Sequence, residues 1–387
     1  MEAATAEIRA PLPTRSAKPD VAIGSIVARV LNFSSGPAIL PEDVLRQAQA
    51  ELLDWGGRGY SVVESSHRFE PFVALVEEME VLVRELLAVP LDYQILFMQG
   101  GGHQQFAMVP LNLLRARTQA DYIVCGHWSN RAAQEARRFC SVRVAADTLK
   151  DGATRAPLQS ELSLDPQSAY VYYCPNETIH GIEYDYVPAT GDVPLVADAS
   201  SQFLSRAIDI SRFGIIFACA QKNFGPSGLT VVVIRDDLIG HCSPRWPSML
   251  DYKSYSETRS LYNTPATFAV YIAQLVLRWL KDQGGVPAIE KRNIEKATLV
   301  YDAIDRSGGF YVNRVARTQR SRMNVPFSLR DDRLTAPFLA EAEQSGLAQL
   351  KGHRTVGGVR ASMYNAMPVD GARRLAAFMQ EFQRRHG

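Results

Sequence analysis

Between residues 120 and 237 the chain repeats one alternation: a short apolar run, a helical or looped stretch, then another apolar run. The runs are ADYIVCG, AYVYYCPN, VPLVADAS, FGIIFACA and LTVVVIRDD. Each has the length of a strand, and the last is dominated by β-branched residues, as buried strands are. Such an alternation predicts an α/β fold built on a largely parallel sheet, with the chemistry gathered at the strand ends.

Around this centre the chain reads as two regions. NFSSGPAILPEDV marks a Gly-Pro turn leading through Pro41 into an amphipathic helix. A loop carrying His67 and Arg68 follows, then a helix over 71–87, the strand YQILFMQ and the turn GGGHQQF before another apolar helix. Residues 241–264, with Pro244 and Pro247, read as a linker before a long helix over 266–281. Past Gly284 and Gly285 the pattern changes to amphipathic helices and the strand-like GFYVNRV and SRMNVPFSL. We therefore expect a mobile extension over 1–30, a large domain over 31–285 and a smaller α+β domain over 286–387. The first residues of the large domain are expected to pack with the small one.

Composition narrows the partners. Of 387 residues 46% are apolar and 21% charged, and the formal net charge is +1, which gives no electrostatic reason to expect nucleic acid. No apolar run reaches the ~18 residues of a membrane helix. Small molecules and a second copy of the chain are left as partners. The five cysteines are odd in number and lack C-x-x-C spacing, so neither a disulfide framework nor a metal site is expected. A cytoplasmic, reducing compartment fits this usage. Glu2, Glu7 and Asp20 make the extension unlike an acid-poor transit peptide, although an organelle address stays open.

Two charged residues stand at strand ends. Lys222 follows FGIIFACA in a glycine-rich connection, where an ammonium at the edge of a core must be paired, neutral or covalently used. Asp198 ends VPLVADAS. A lysine able to form a Schiff base with an aldehyde, near a carboxylate able to hold a protonated pyridine nitrogen, is the equipment pyridoxal 5'-phosphate requires. GGGHQQF, between a strand and a helix, offers backbone N–H groups to a phosphate. Trp128 is suited to cover the cofactor ring, and Thr178 to reach its phenolic oxygen. Each residue alone also fits a plainer role: Lys222 a snorkelling turn lysine, Asp198 a helix cap, Trp128 core, Thr178 and the glycines ordinary turns.

Together these segments resemble the phosphoserine aminotransferase family, class V enzymes of pyridoxal-phosphate fold type I. NFSSGPAILP, SHR, QGGGHQQF, CPNETIHGIE, AQKNFGPSGLTVVVIRDDL, YNTPATF, RSRMNVPF and KGHRTVGGVRASMYNAM carry the resemblance in one colinear order over residues 31–387. It implies that Lys222 bonds the cofactor and that Asp198 holds its ring nitrogen, with Trp128 stacked and Thr178 on the ring oxygen. Gly102, His103, Ser200 and Gln221 would hold the phosphate, joined by Asn263 and Thr264 from the other subunit of a homodimer. Arg360 would clamp the substrate α-carboxylate, while His67, Arg68, His353 and Arg354 gather around the distal phosphate or the glutamate side chain.

The implied reaction is transamination between L-glutamate and 3-phosphohydroxypyruvate, giving O-phospho-L-serine and 2-oxoglutarate. His103, Gln104 and Phe69 depart from the family pattern beside the anion pocket, and they bear on substrate choice more than on reaction type. The alternatives are another phosphorylated or phosphonate keto acid, such as that of the phosphohydroxythreonine step of vitamin B6 synthesis, a pyridoxal-phosphate lyase, or a silent protein on the same fold.

Overall fold

The computed structural model describes residues 29–150, 152 and 154–387; the extension expected over 1–30 lies almost wholly outside the described residues. The alternation of apolar runs becomes a seven-stranded sheet. In chain order, Leu31–Asn32 is β1, and the sheet contains β2 (Tyr93–Met98), β3 (Gln119–Val124), β4 (Ser141–Asp147) and β5 (Val171–Tyr173). After the short hairpin β6 (Asn176–Glu177) and β7 (Ile182–Glu183), it is completed by β8 (Leu195–Asp198), β9 (Ile215–Cys219) and β10 (Thr230–Arg235). The strand order is β2-β10-β9-β8-β5-β3-β4. Every pairing is parallel except those of β10, which runs antiparallel to both neighbours.

Strand periodicity sorts the core into two layers. Ile95 and Phe97 of β2 enter one apolar cluster with α2 (Glu70–Leu87) and α6 (Thr267–Asp282), while Leu96 and Met98 enter another. That second cluster includes α3 (Gly101–Leu113), α4 (His127–Ala136) and α5 (Tyr252–Glu257). Both faces are thus covered, which is why β8, β9 and β10 are almost continuously apolar. The edge strand β4 is exposed at Ser141 and Val144 and reads SVRVAAD, a pattern too polar to have stood out as a strand.

The expected linker over 241–264 is not one. Within it α5 buries Tyr252 and Tyr255; the Tyr252 hydroxyl donates to Gln105 Oε1 at 2.7 Å, and its backbone N–H donates to Asn112 Oδ1 at 3.1 Å. Two prolines shape the entry to this segment, but two buried tyrosines make it part of the core.

A third cluster joins α7 (Gly285–Asp305), α8 (Thr335–Gln344) and α9 (Val369–His386) to a three-stranded antiparallel sheet of β11 (Tyr311–Val312), β12 (Asn324–Leu329) and β14 (Val359–Ser362). Leu31, Phe33 and Ile39 belong to this cluster, and β1 pairs in parallel with β13 (Leu347–Ala348). The segment following β1 therefore runs from the C-terminal cluster toward α1 (Glu42–Ala50). On the way it passes Lys222. Among the described residues no helix is long and apolar enough to cross a membrane.

Candidate active site

Five strands of the main sheet deliver their following residues to one edge. β2 leads to Gly100–Gly102, β3 to Gly126–Trp128, β5 to Asn176–Thr178, β8 to Asp198–Ser200 and β9 to Gln221–Lys222. Eight of the residues expected at a cofactor line a single cavity of 390 Å³: Gly102, His103, Trp128, Thr178, Asp198, Ser200, Gln221 and Lys222. Its volume falls within the ~300–1,000 Å³ of small-molecule sites.

The turn into α3 depends on its glycines. Gly100 has φ +91° and Gly101 φ +64°, a region that side chains with a Cβ avoid. A Cβ on Gly100 would also lie within 2.6 Å of three atoms of Gln104, which folds back over it. The backbone thereby presents the Gly102 N–H at the start of α3, where the helix dipole favours an anion. That N–H donates to Cys219 Sγ at 3.0 Å, and the same sulfur lies 3.5 Å from Ser200 Oγ. Cys219, passed over in the sequence as one of five unremarkable thiols, thus stands among the expected phosphate donors.

Asp198 is buried at the end of β8, and its Oδ1 accepts the Ser200 N–H at 3.0 Å. Burial lifts its carboxyl above the usual range, offset in part by the Ser200 hydroxyl and N–H and by the Lys222 ammonium. A buried carboxylate under such strain gains from a further cation or N–H donor in the cavity, as a protonated pyridine would provide. Opposite it Lys222 Nζ donates to the Ser35 carbonyl, and a Cβ on Gly36 would lie 2.7 Å from that nitrogen. The cavity, its glycine cradle and this charge pair fit pyridoxal phosphate.

Ser35 also reaches the other way. Its hydroxyl accepts from Arg360 Nη2 of β14 at 2.6 Å, and its carbonyl accepts from the Tyr364 hydroxyl at 3.0 Å. One serine therefore links the strand-end lysine to the arginine expected to clamp the substrate. Nothing within NFSSGP by itself foretells this bridge.

Trp128 is set by a residue the sequence reading also missed. Glu177 is fully buried and accepts the N–H groups of Trp128 at 3.0 Å and Ser129 at 2.8 Å, and the Ser129 hydroxyl at 2.6 Å. It caps the first turn of α4 from a different element. Burial pushes its carboxyl up to about 7 against those hydrogen bonds.

The remaining expected residues lie elsewhere. His353 and Arg354 stand near His127, at the start of α4. His67 and Arg68 sit on the segment entering α2 and do not line the cavity. Asn263 and Thr264 lie against Gln99, whose side chain donates to the Thr264 carbonyl at 3.0 Å, outside the cavity wall. Of the departing residues, His103 makes an edge contact with Trp128 at 5.8 Å, and Phe69 is exposed beside Tyr60.

Comparison with known proteins agrees along almost the whole chain. The family described as aminotransferase class-V matches residues 30–375. A phosphoserine aminotransferase of Laribacter hongkongensis is 55% identical over 92% of this chain and 99% of its own length. That of Pseudomonas aeruginosa PAO1 is 53% identical over 93% of this chain and 99% of its own. Among solved structures, the phosphoserine aminotransferase from Bacillus circulans subsp. alkalophilus superposes with TM-score 0.91 at 43% identity, covering 93% of this chain and 99% of that one. The one from Trichomonas vaginalis, described as PLP bound, superposes with TM-score 0.87 at 39% identity, covering 91% and 100%.

Proposed function

This chain belongs to the class-V aminotransferases and, within them, to the phosphoserine aminotransferases, and on that premise we propose how its own residues divide the work. The enzyme is pyridoxal-phosphate dependent and transfers the amino group of L-glutamate to 3-phosphohydroxypyruvate, giving O-phospho-L-serine and 2-oxoglutarate in serine biosynthesis. The observation that carries the division of roles is the single cavity in which Asp198 and Lys222 both stand, with Arg360 tied to Lys222 through Ser35.

Bound there, pyridoxal phosphate supplies a conjugated electron sink for the electron pair left when the substrate Cα loses its proton. Lys222 anchors the cofactor at rest. With substrate in the cavity, the free Lys222 Nζ would serve as the general base that takes the Cα proton and later returns one. Asp198 holds the ring nitrogen protonated, which keeps the sink deep. Trp128 would cover the ring, Thr178 would contact the ring oxygen, and Gly102, His103, Ser200 and Gln221 would hold the phosphate. Arg360 binds the α-carboxylate in a bidentate fork. His353 and Arg354 bind the distal anionic group.

We further propose a homodimer. Asn263, Thr264, His67 and Arg68 lie outside their own chain's cavity, which fits their serving the site of a second copy. The boundary near residue 285 is proposed to divide a cofactor domain from a smaller domain that carries Arg360, and the compartment is proposed to be cytoplasmic.

An absorbance scan tests the reading. The holoenzyme should show the visible band of lysine-bound cofactor. Glutamate alone should convert it to the amine form, and 3-phosphohydroxypyruvate should restore it. A protein whose band ignores both compounds would refute the proposed roles.

A further inference from the structure

Four of the chain's seven histidines gather about the start of α4, and one of them, His103, lines the cavity. His127 opens α4, with its ring 5.7 Å from that of His353 and 5.2 Å from that of Trp128. The His103 ring lies 5.8 Å from that of the same tryptophan, and His180, in the turn joining β6 to β7, accepts the His127 backbone N–H on Nδ1 at 3.4 Å. The charged groups around His127 are Arg131 of its own helix, Arg354 of the loop before β14 and His103 of α3, with Glu177 buried beneath the helix start. Beyond His353 lies Arg360. Burial first, then Arg131, Arg354 and His103, holds the His127 ring below its ordinary range.

Hydrogen bonding separates the imidazoles. His353 Nδ1 accepts the Thr355 N–H at 3.3 Å and lies 2.8 Å from its hydroxyl. His180 Nδ1 takes the His127 N–H, so in the neutral His180 ring the proton sits on Nε2. A second proton on His180 would break its Nδ1 bond, whereas on His353 it would turn the contact with the Thr355 hydroxyl into a donated bond and give up only the longer one to the Thr355 N–H. Burial in addition pulls His180 down to about 4. The His127 ring nitrogens have no hydrogen-bond partner among the described residues, so this ring can accept a proton without losing a bond.

A transaminase must seat both its substrates in one site, and here their far ends differ in charge. Glutamate ends in a carboxylate monoanion and phosphohydroxypyruvate in a phosphate that is mostly dianionic at neutral pH. A subsite of fixed charge matches one and mismatches the other. Resting on the function proposed above, we propose that His127 is a specificity residue of the distal anion subsite, taking a proton from solvent when the arriving group is a phosphate dianion and staying neutral when it is a carboxylate. His180 remains a neutral Nε2–H donor beside it. The sign follows from linkage: burial and the neighbouring cations favour the neutral ring in the free enzyme, a dianion beside it favours imidazolium, and phosphate affinity therefore falls as pH rises.

Titration calorimetry of the holoenzyme tests this, using 3-phosphoglycerate and, separately, glutarate at pH 7.5 in buffers of different ionisation enthalpy. Neither probe can be transaminated. We expect 3-phosphoglycerate to take up more protons than glutarate, and His127→Asn to remove most of that excess while the visible cofactor band persists. The phosphate's own titration contributes equally in both proteins and cancels in the comparison. In steady state, KM for 3-phosphohydroxypyruvate relative to KM for glutamate should climb from pH 6 to 8 in the native enzyme, by up to ~10-fold per pH unit, and should climb less steeply in His127→Asn. Equal proton uptake for the two probes, or an excess unchanged in the variant, overturns the proposal. If 3-phosphohydroxypyruvate accepts no amino group at all, the functional reading falls and the inference with it; if it does and the excess is missing, the inference alone falls.

Discussion

Asp198 shows how a single residue is shaped for a partner. Its carboxyl is buried and raised, so folding of the cofactor-free protein favours the protonated form, and the stability it contributes at acid pH is lost as pH rises past the ordinary aspartate range. Asp198→Asn should therefore melt higher than the native protein at pH 7 without cofactor, with a smaller gain at pH 5, as thermal unfolding of both apo proteins would read. With cofactor the same change should lower kcat by ~100-fold or more, because the ring nitrogen loses its counter-charge. Lys222→Ala should keep the fold, lose borohydride-fixable cofactor and fall ~1,000-fold in kcat. Arg360→Ala removes a charged fork and should raise KM for glutamate by ~10- to 100-fold. The identities of all three were legible at their strand ends or in the family-like motifs. Ser35, Cys219 and Glu177 were not, since a serine, a thiol and a glutamate acquire these roles only from what folds against them.

At the scale of elements the site depends on how α4 begins. Its first N–H groups have no intrahelical partners, and Glu177 from the β6–β7 hairpin supplies the acceptor. A Cβ on Gly126 would lie 2.3 Å from the Glu177 carboxyl carbon, so the glycine before the helix is required by the carboxylate beneath it. Glu177→Ala leaves two buried donors unsatisfied and should cost ~3 kcal/mol in chemical denaturation, loosening Trp128 with it. Because the Glu177 carboxyl is raised to about 7, its contribution declines between pH 4.5 and 7, so Glu177→Gln should gain on the native protein over that window. A flat difference between the two proteins would show the carboxyl to be unperturbed. Such elements were legible to differing degrees. β8, β9 and β10 stood out because both faces are buried, whereas β4 was hidden by its exposed edge and α5 by the prolines before it.

For the whole molecule, the proposal that two subunits share each site makes a quantitative prediction. Subunits carrying Lys222→Ala and subunits carrying both Asn263→Ala and Thr264→Ala should each be inactive. Mixed one to one and allowed to exchange, they should recover ~25% of native activity, because half the dimers are mixed and each mixed dimer rebuilds one intact site. No recovery, with mixed dimers present by native mass spectrometry, would place both residues in their own chain's site or in none. By itself the sequence determined the α/β class, which rests on local hydrophobic period, and the aminotransferase family, which rests on colinear motifs, and it set Lys222 and Asp198 at strand ends. Tertiary structure alone decided which groups meet: Ser35 between Lys222 and Arg360, Glu177 beneath Trp128, and the histidines about the start of α4. Those contacts join positions from tens to more than three hundred residues apart, and no pattern within a short window encodes a distance through space.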